Sequence, residues 1–153
     1  GGFGTAMNYK GISLTANFSW VADRWMFNND RFFEESNGLY SAYNQSRRLL
    51  YDRWKEPGDI ADIPRYGVTP QMDSRFLEDA SFLRMKNLML SYSLPAGLLK
   101  KTVVIRGLRV YAQAQNLLTF TNFSGLDPEG TSNLYAAQYP MSRQFTFGLD
   151  LMF

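Results

Sequence analysis

The chain has 153 residues and a formal net charge of +2, from 16 basic and 14 acidic side chains. That balance argues against a nucleic-acid partner, and the lack of cysteine excludes disulfides and thiolate metal sites. Histidine is absent too, which removes the commonest general base and the commonest metal ligand, so no catalytic, metal or cofactor site is expected and the chain reads as a non-enzyme.

Five stretches carry a period of two, the mark of a strand with one apolar side. The first, at about 1–9, sets Phe3, Thr5, Met7 and Tyr9 against Gly2, Gly4, Ala6 and Asn8. Its opening "GGFGTAMNYK" has neither an initiator Met nor the charged-then-apolar build of a signal peptide, so the chain is expected to be a piece of a longer polypeptide. Lys10 and Gly11 form a tight hairpin turn to the second strand, at about 11–27, where Ile12, Leu14, Ala16, Phe18 and Trp20 share one side.

A long loop over about 28–80 follows. Within "SNGLYSAYNQSRRLLYDRW" (36–54), Leu39, Tyr43, Leu50 and Trp54 fall near helical spacing, with Ser36 or Asn37 as the cap, so a short helix is expected there. The Pro and Gly of "EPGDIADIPRYG" (56–67) end it. The third strand, at about 81–94, sets Leu88, Leu90, Tyr92 and Leu94 against Asn87, Met89, Ser91 and Ser93. Counting back by twos puts Arg84 and Lys86 on its apolar side, near the loop.

A shorter link, "PAGLLKKTVVI" (95–105), leads to the fourth strand, at about 106–119, with Leu108, Val110, Ala112 and Ala114 against Arg109, Tyr111, Gln113 and Gln115. A second loop, about 120–141, contains the turn "GLDPEG". The last strand, at about 142–153, aligns Phe145, Phe147, Leu149, Leu151 and Phe153. Arg109 and Asp150 are expected to pair across adjacent antiparallel strands on the polar side.

Arg84 and Lys86 at the loop end aside, no position on these apolar stripes is charged, and the polar stripes are mostly Ser, Thr, Asn and Gln. A soluble sandwich shows Lys and Glu outward, whereas a membrane barrel turns its apolar side to lipid and lines a wet lumen with polar residues. Short and long connections alternate, as in outer-membrane barrels. Tyr9, Tyr92 and Phe153 gather at the short-turn end and Phe3, Phe82 and Phe145 at the other, like two aromatic girdles. Five strands leave two unpaired edges, so further strands are expected from elsewhere in the polypeptide.

The stretches "RWKEPGDIADIPRYG" (53–67), "SRFLEDASFLRMKNLMLSYSLP" (74–95), "LRVYAQAQNLLTFTNFSGLDPE" (108–129) and "YPMSRQFTFGLDLMF" (139–153) resemble, in that order, the C-terminal end of the SusC/RagA family. These are TonB-dependent outer-membrane transporters of Bacteroidetes. The resemblance implies an all-β fold: the last five antiparallel strands of a transmembrane β-barrel of about 22 strands, with extracellular long loops and the plug domain outside this piece. It also implies import of oligosaccharides or peptides, a SusD-like surface lipoprotein as partner, and energy from the TonB complex through the absent N-terminal part.

In the same family reading, Phe145, Phe147, Leu149, Leu151 and Phe153 look like the terminal signal read by the barrel-assembly machinery, besides touching the lipid bilayer. Trp54, Tyr66 and Tyr135 lie in the loops, where they either pack or stack on a sugar or a partner. Glu34 with Glu35, Asp59 with Asp62, and Glu78 with Asp79 read as solvated loop charges. Two other classes compete: a barrel serving adhesion or scaffolding, and a soluble β-sandwich carbohydrate-binding module.

Overall fold

A computed structural model describes residues 1–99, 104–136 and 138–153. In chain order the elements are β1 (Gly2–Tyr9), β2 (Ile12–Val21), β3 (Trp25–Asn28), α1 (Asn29–Glu34), α2 (Arg48–Tyr51), β4 (Leu77–Asp79), β5 (Phe82–Ser93), α3 (Ala96–Leu99), β6 (Gly107–Thr121), β7 (Leu134–Tyr135) and β8 (Gln144–Met152). Among the described residues no helix is long and apolar enough to cross a membrane. The chain divides into a sheet unit (Gly1–Ala22, Phe82–Thr121, Met141–Phe153) and a loop unit (Asp23–Ser81, Asn122–Pro140).

The sheet unit is one antiparallel sheet in the order β1-β2-β5-β6-β8. Lys10 and Gly11 make the β1–β2 turn with φ of 48° and 86°. Positive φ at both central residues matches the twist of the flanking strands, and Gly11 takes the larger angle at no steric cost. Residues 100–103 of the expected 95–105 link lie outside the described residues.

Register gathers the side chains into cross-strand rows. Tyr9, Ile12, Tyr92, Val110 and Leu149 form one apolar row, and Met7, Leu14, Leu90, Ala112 and Phe147 the next. The opposite face carries rows such as Ala6, Thr15, Met89, Gln113 and Thr146. Gln113 donates to Asn87 at 2.8 Å across it. Arg109 lies directly opposite Asp150, with Nε 3.7 Å from the carboxylate, close enough for charge attraction but too long for a hydrogen bond. Tyr111 faces Gly148, and its ring occupies the space where a Cβ at that glycine would stand.

One expectation fails at a bulge. The β5–β6 register shifts between Met85 and Asn87, while Asn116 on β6 adopts φ 52°. Against β2, Lys86 is the extra residue of the bulge, so strand parity reverses there. Met85 and Leu83 fall on the apolar face; Arg84 and Phe82 fall on the polar one. Arg84 is buried and donates from Nε to Thr119 at 2.9 Å. Arg84 therefore never meets the apolar face where counting by twos put it.

The expected strand over 11–27 also breaks. Asp23 takes φ 54°, ending β2 at Val21, and Trp25–Asn28 joins a separate small sheet in the order β4-β3-β7. Met26, Ala80, Phe123 and Tyr135 form a buried cluster under it. Of the helix expected within 36–54 only one turn forms, toward its C-terminal end. Asn37 and Gly38 both take positive φ, so 36–46 turns rather than winds into one helix. Helix forms instead at α1, where the Asn28 side chain caps the Arg31 amide at 3.1 Å, and in the single turn of α2.

Candidate functional site

The first candidate surface is the apolar face of the sheet unit. Phe147 is 78% exposed and Leu149 65%, and Phe145, Leu151 and Phe153 are exposed with them. Phe3, Met7, Tyr9, Ile12, Leu90, Leu118 and Phe120 continue the exposed face across the other strands. Phe3 and Phe18 stack there, centroids 4.8 Å apart. Burying one such side chain is worth about 1.5–3 kcal/mol, and soluble monomers rarely expose contiguous apolar patches beyond a few hundred Å². Among the described residues of the sheet unit no second layer covers this face, although the sandwich reading requires one.

The loop unit holds the second candidate, a cleft of about 580 Å³ beside α1. Three arginines from three segments converge on one carboxylate. Glu35, 1% exposed, accepts from Arg31 Nε at 3.0 Å and from Arg48 Nη1 at 2.7 Å, and lies 3.5 Å from Arg75 Nη1. Arg31 reaches on to Glu78 at 2.9 Å. Glu78 also accepts from the Ser124 amide and hydroxyl, each at 2.9 Å, which ties the second loop to the first. Phe76, fully buried, sits under Arg75 with the guanidinium 4.3 Å from its ring centre.

The energetics of this cluster are those of a buried charge network. Burial, the largest influence on Glu78, raises its pKa, but the hydrogen bonds from Ser124 and Arg31 with the Arg31 charge outweigh it, and the group is held below its usual value. For Arg31, burial pulls the pKa down while Glu78 and Glu35 more than restore it, so it is raised. Asp79 is lowered by the Ser81 hydroxyl and amide, and Asp59 by the Lys55 and Glu56 amides. Glu35 and Glu78 are thus not the solvated charges expected of them: the fold encloses both and matches them to arginine. Glu34 and Asp59 are exposed as expected. Asp62 is exposed too, with Arg48 Nη2 3.4 Å from its carboxylate.

The three loop aromatics lie in three different settings. Tyr135 is 1% exposed, edge-on to Phe123 at 5.1 Å, and its hydroxyl accepts from the Leu126 amide at 3.0 Å. Burial raises its pKa. It is a packing residue whose ring is closed to a sugar. Trp54 is half-buried, its amide donating to the Ile63 carbonyl at 2.8 Å. Tyr66 is 67% exposed, with the Arg53 guanidinium 5.3 Å from its ring centre.

Reading the residues alone missed an exposed aromatic group: Phe33 packs on Tyr40 at 4.9 Å and on Tyr43 at 6.3 Å. Asp30, Glu34 and Asn44 adjoin it around a hollow of about 500 Å³. The clustering of rings at 32, 33, 40 and 43 was the available signal. Among the described residues no group of three acidic side chains is placed to hold a metal. The first hollow offers hydrogen bonding to a polar ligand, and the second adds the rings of Phe33 and Tyr43.

An antiparallel sheet exposing apolar rows on one side and polar rows on the other is a piece of β-barrel wall. No family model matches the chain. It is 42% identical over 157 residues to TonB-dependent receptor SusC of Bacteroides thetaiotaomicron, covering 99% of this chain and 15% of SusC. A TonB-dependent receptor of Formosa agariphila is 34% identical over 150 residues, 83% of this chain and 15% of the receptor. The RagAB peptide importer in its 'open-open' state superposes with TM-score 0.91 and 45% identity, covering all of this chain and 17% of that one. The chain belongs to the SusC/RagA family of TonB-dependent receptors, and it spans about one sixth of the length of the relatives it matches.

Proposed function

We propose that the chain is the C-terminal wall segment of an outer-membrane importer, whose remaining strands and plug come from the rest of the polypeptide. The exposure of the apolar rows on β8 and β6 carries this reading, because only lipid satisfies that face. The loop unit stands on the outer side, where its polar clefts meet an oligosaccharide or a peptide. Trp54 and Tyr66 are the ring contacts in that role. A SusD-like lipoprotein caps the barrel, and the TonB complex drives release through the N-terminal part. Phe145, Phe147, Leu149, Leu151 and Phe153 serve in addition as the strand the assembly machinery reads, since an end strand offers unpaired backbone to a pairing partner.

The likeness to SusC and to the RagAB peptide importer supports import over adhesion. The test is to purify the full-length protein from outer membranes under mild detergent and identify what accompanies it by mass spectrometry. A stoichiometric lipoprotein and bound glycan or peptide are expected. A barrel that purifies alone, and whose loss leaves growth on both nutrient classes unchanged, contradicts the proposal.

A further inference from the structure

The charge of the chain is divided unevenly. Residues 1–22 and 80–126 contain no acidic side chain at all, and Asp150 is the sole acidic side chain of the sheet unit. Asp150 lies beside Arg109. At the short-turn end, by contrast, Lys10 occupies the β1–β2 turn and Arg106 precedes β6, both exposed and neither with a carboxylate partner among the described residues.

Beside Lys10 the apolar face is not flat. Ala112 stands in its row between Leu90 and Phe147, and a small side chain between two large ones leaves a trough. This groove, about 720 Å³, runs along Ile12, Leu90, Tyr92 and Ala112 to Phe147, with Lys10 at its mouth. The Lys10 ammonium sits 5.2 Å from the Tyr9 ring centre, so it is held at the aromatic boundary.

We propose that this groove is a binding site for an anionic phospholipid of the leaflet at the short-turn end, with one acyl chain over Ala112 and the phosphate on Lys10. The inference rests on the barrel reading above and adds a choice of lipid to it. The occupant follows from the chemistry: an apolar trough open along its length takes an alkyl chain, and an unneutralised ammonium at its mouth selects a negative headgroup. A basic residue at an anionic lipid surface strengthens binding by roughly fivefold.

The test uses the full-length protein, incubated with equal phosphatidylglycerol and phosphatidylcholine of matched chains, and counts retained lipids by native mass spectrometry. The wild type is expected to retain phosphatidylglycerol about fivefold over phosphatidylcholine. Lys10→Asn, which tolerates the positive φ of this turn, is expected to abolish that preference. Ala112→Leu fills the trough and lowers retention of both lipids. Equal retention by the wild type, or a preference that survives Lys10→Asn, overturns the proposal while leaving the barrel intact. A protein that stays soluble without detergent and retains neither lipid overturns the barrel reading, and this inference with it.

Discussion

Arg48 donates to Glu35 at 2.7 Å, bonding the one-turn helix α2 to the residue that ends α1. With Arg31 and Arg75 on the same carboxylate, one buried negative charge joins three arginines from three stretches of loop, while Arg31 also meets Glu78 and Arg48 also meets Asp52 and Asp62. Removing the shared partner from such a network costs more than forming it gains, because Arg75, largely enclosed, is left without the carboxylate it meets here. Glu35→Gln is therefore expected to destabilise the loop unit by about 3–5 kcal/mol. Hydrogen exchange of the full-length protein checks this: amides around 26–35 and 48–52 lose protection while those of β5 and β6 keep theirs. Uniform exchange in both variants would contradict it.

Glu78 sets the expected pH response. Its pKa in the folded protein is lowered, so the unfolded chain binds its proton at the higher pH. The stabilisation it provides is then complete above the unfolded pKa and is lost as pH falls through the depressed folded value. Asp79, also lowered, acts with the same sign. Loop-unit protection is expected to hold steady from neutral to mildly acid conditions and to drop on stronger acidification. Glu78→Gln should flatten that drop. A loop unit that loosens as pH rises from neutral would contradict the assignment.

Gly148 and Tyr111 make a cross-strand pair in which the ring covers the glycine. Gly148→Ala places a methyl where the ring stands, and overpacking of this kind costs about 1–3 kcal/mol. Tyr111→Ser should be less harmful in the Gly148→Ala background than in the wild type. Thermal unfolding followed by the gel mobility of the folded barrel reads both, and strict additivity would show that the two residues do not interact.

The last strand is expected to matter for assembly more than for stability. Phe153 lies beyond Met152, the final residue of β8, and is 69% exposed, so its loss removes little packing within the sheet. Deleting it should lower the amount of assembled barrel in cells severalfold while refolding into lipid vesicles in vitro proceeds as before. Equal losses in both settings would assign it a purely structural role.

Much of the sheet was readable because its rules are local. A period of two fixes which residues share a face, and the Lys10 and Gly11 turn sets the first register, so Arg109 could be matched with Asp150 across two strands. The Lys86 bulge was not readable: one inserted residue leaves the pattern of letters intact and reverses the side on which Arg84 and Phe82 emerge. The Asn116 conformation that accompanies it needs an Asn but does not announce itself. In the loops, Arg31 with Glu35 and Arg48 with Asp52 stand four apart, a spacing that signals helical pairs. Their convergence with Arg75 and Glu78 depends on contacts between segments distant in sequence, which no periodicity reports.

The central claim concerns what touches the apolar rows. Because the chain has no cysteine, single nitroxide labels at Thr146→Cys, Phe147→Cys and Leu149→Cys in a full-length protein without competing thiols report each site in a bilayer. Labels at 147 and 149 are expected to be relaxed strongly by oxygen and weakly by a water-soluble nickel reagent, with the reverse at 146. Sites 147 and 149 that answer to nickel, or to neither reagent, would contradict a lipid-facing wall.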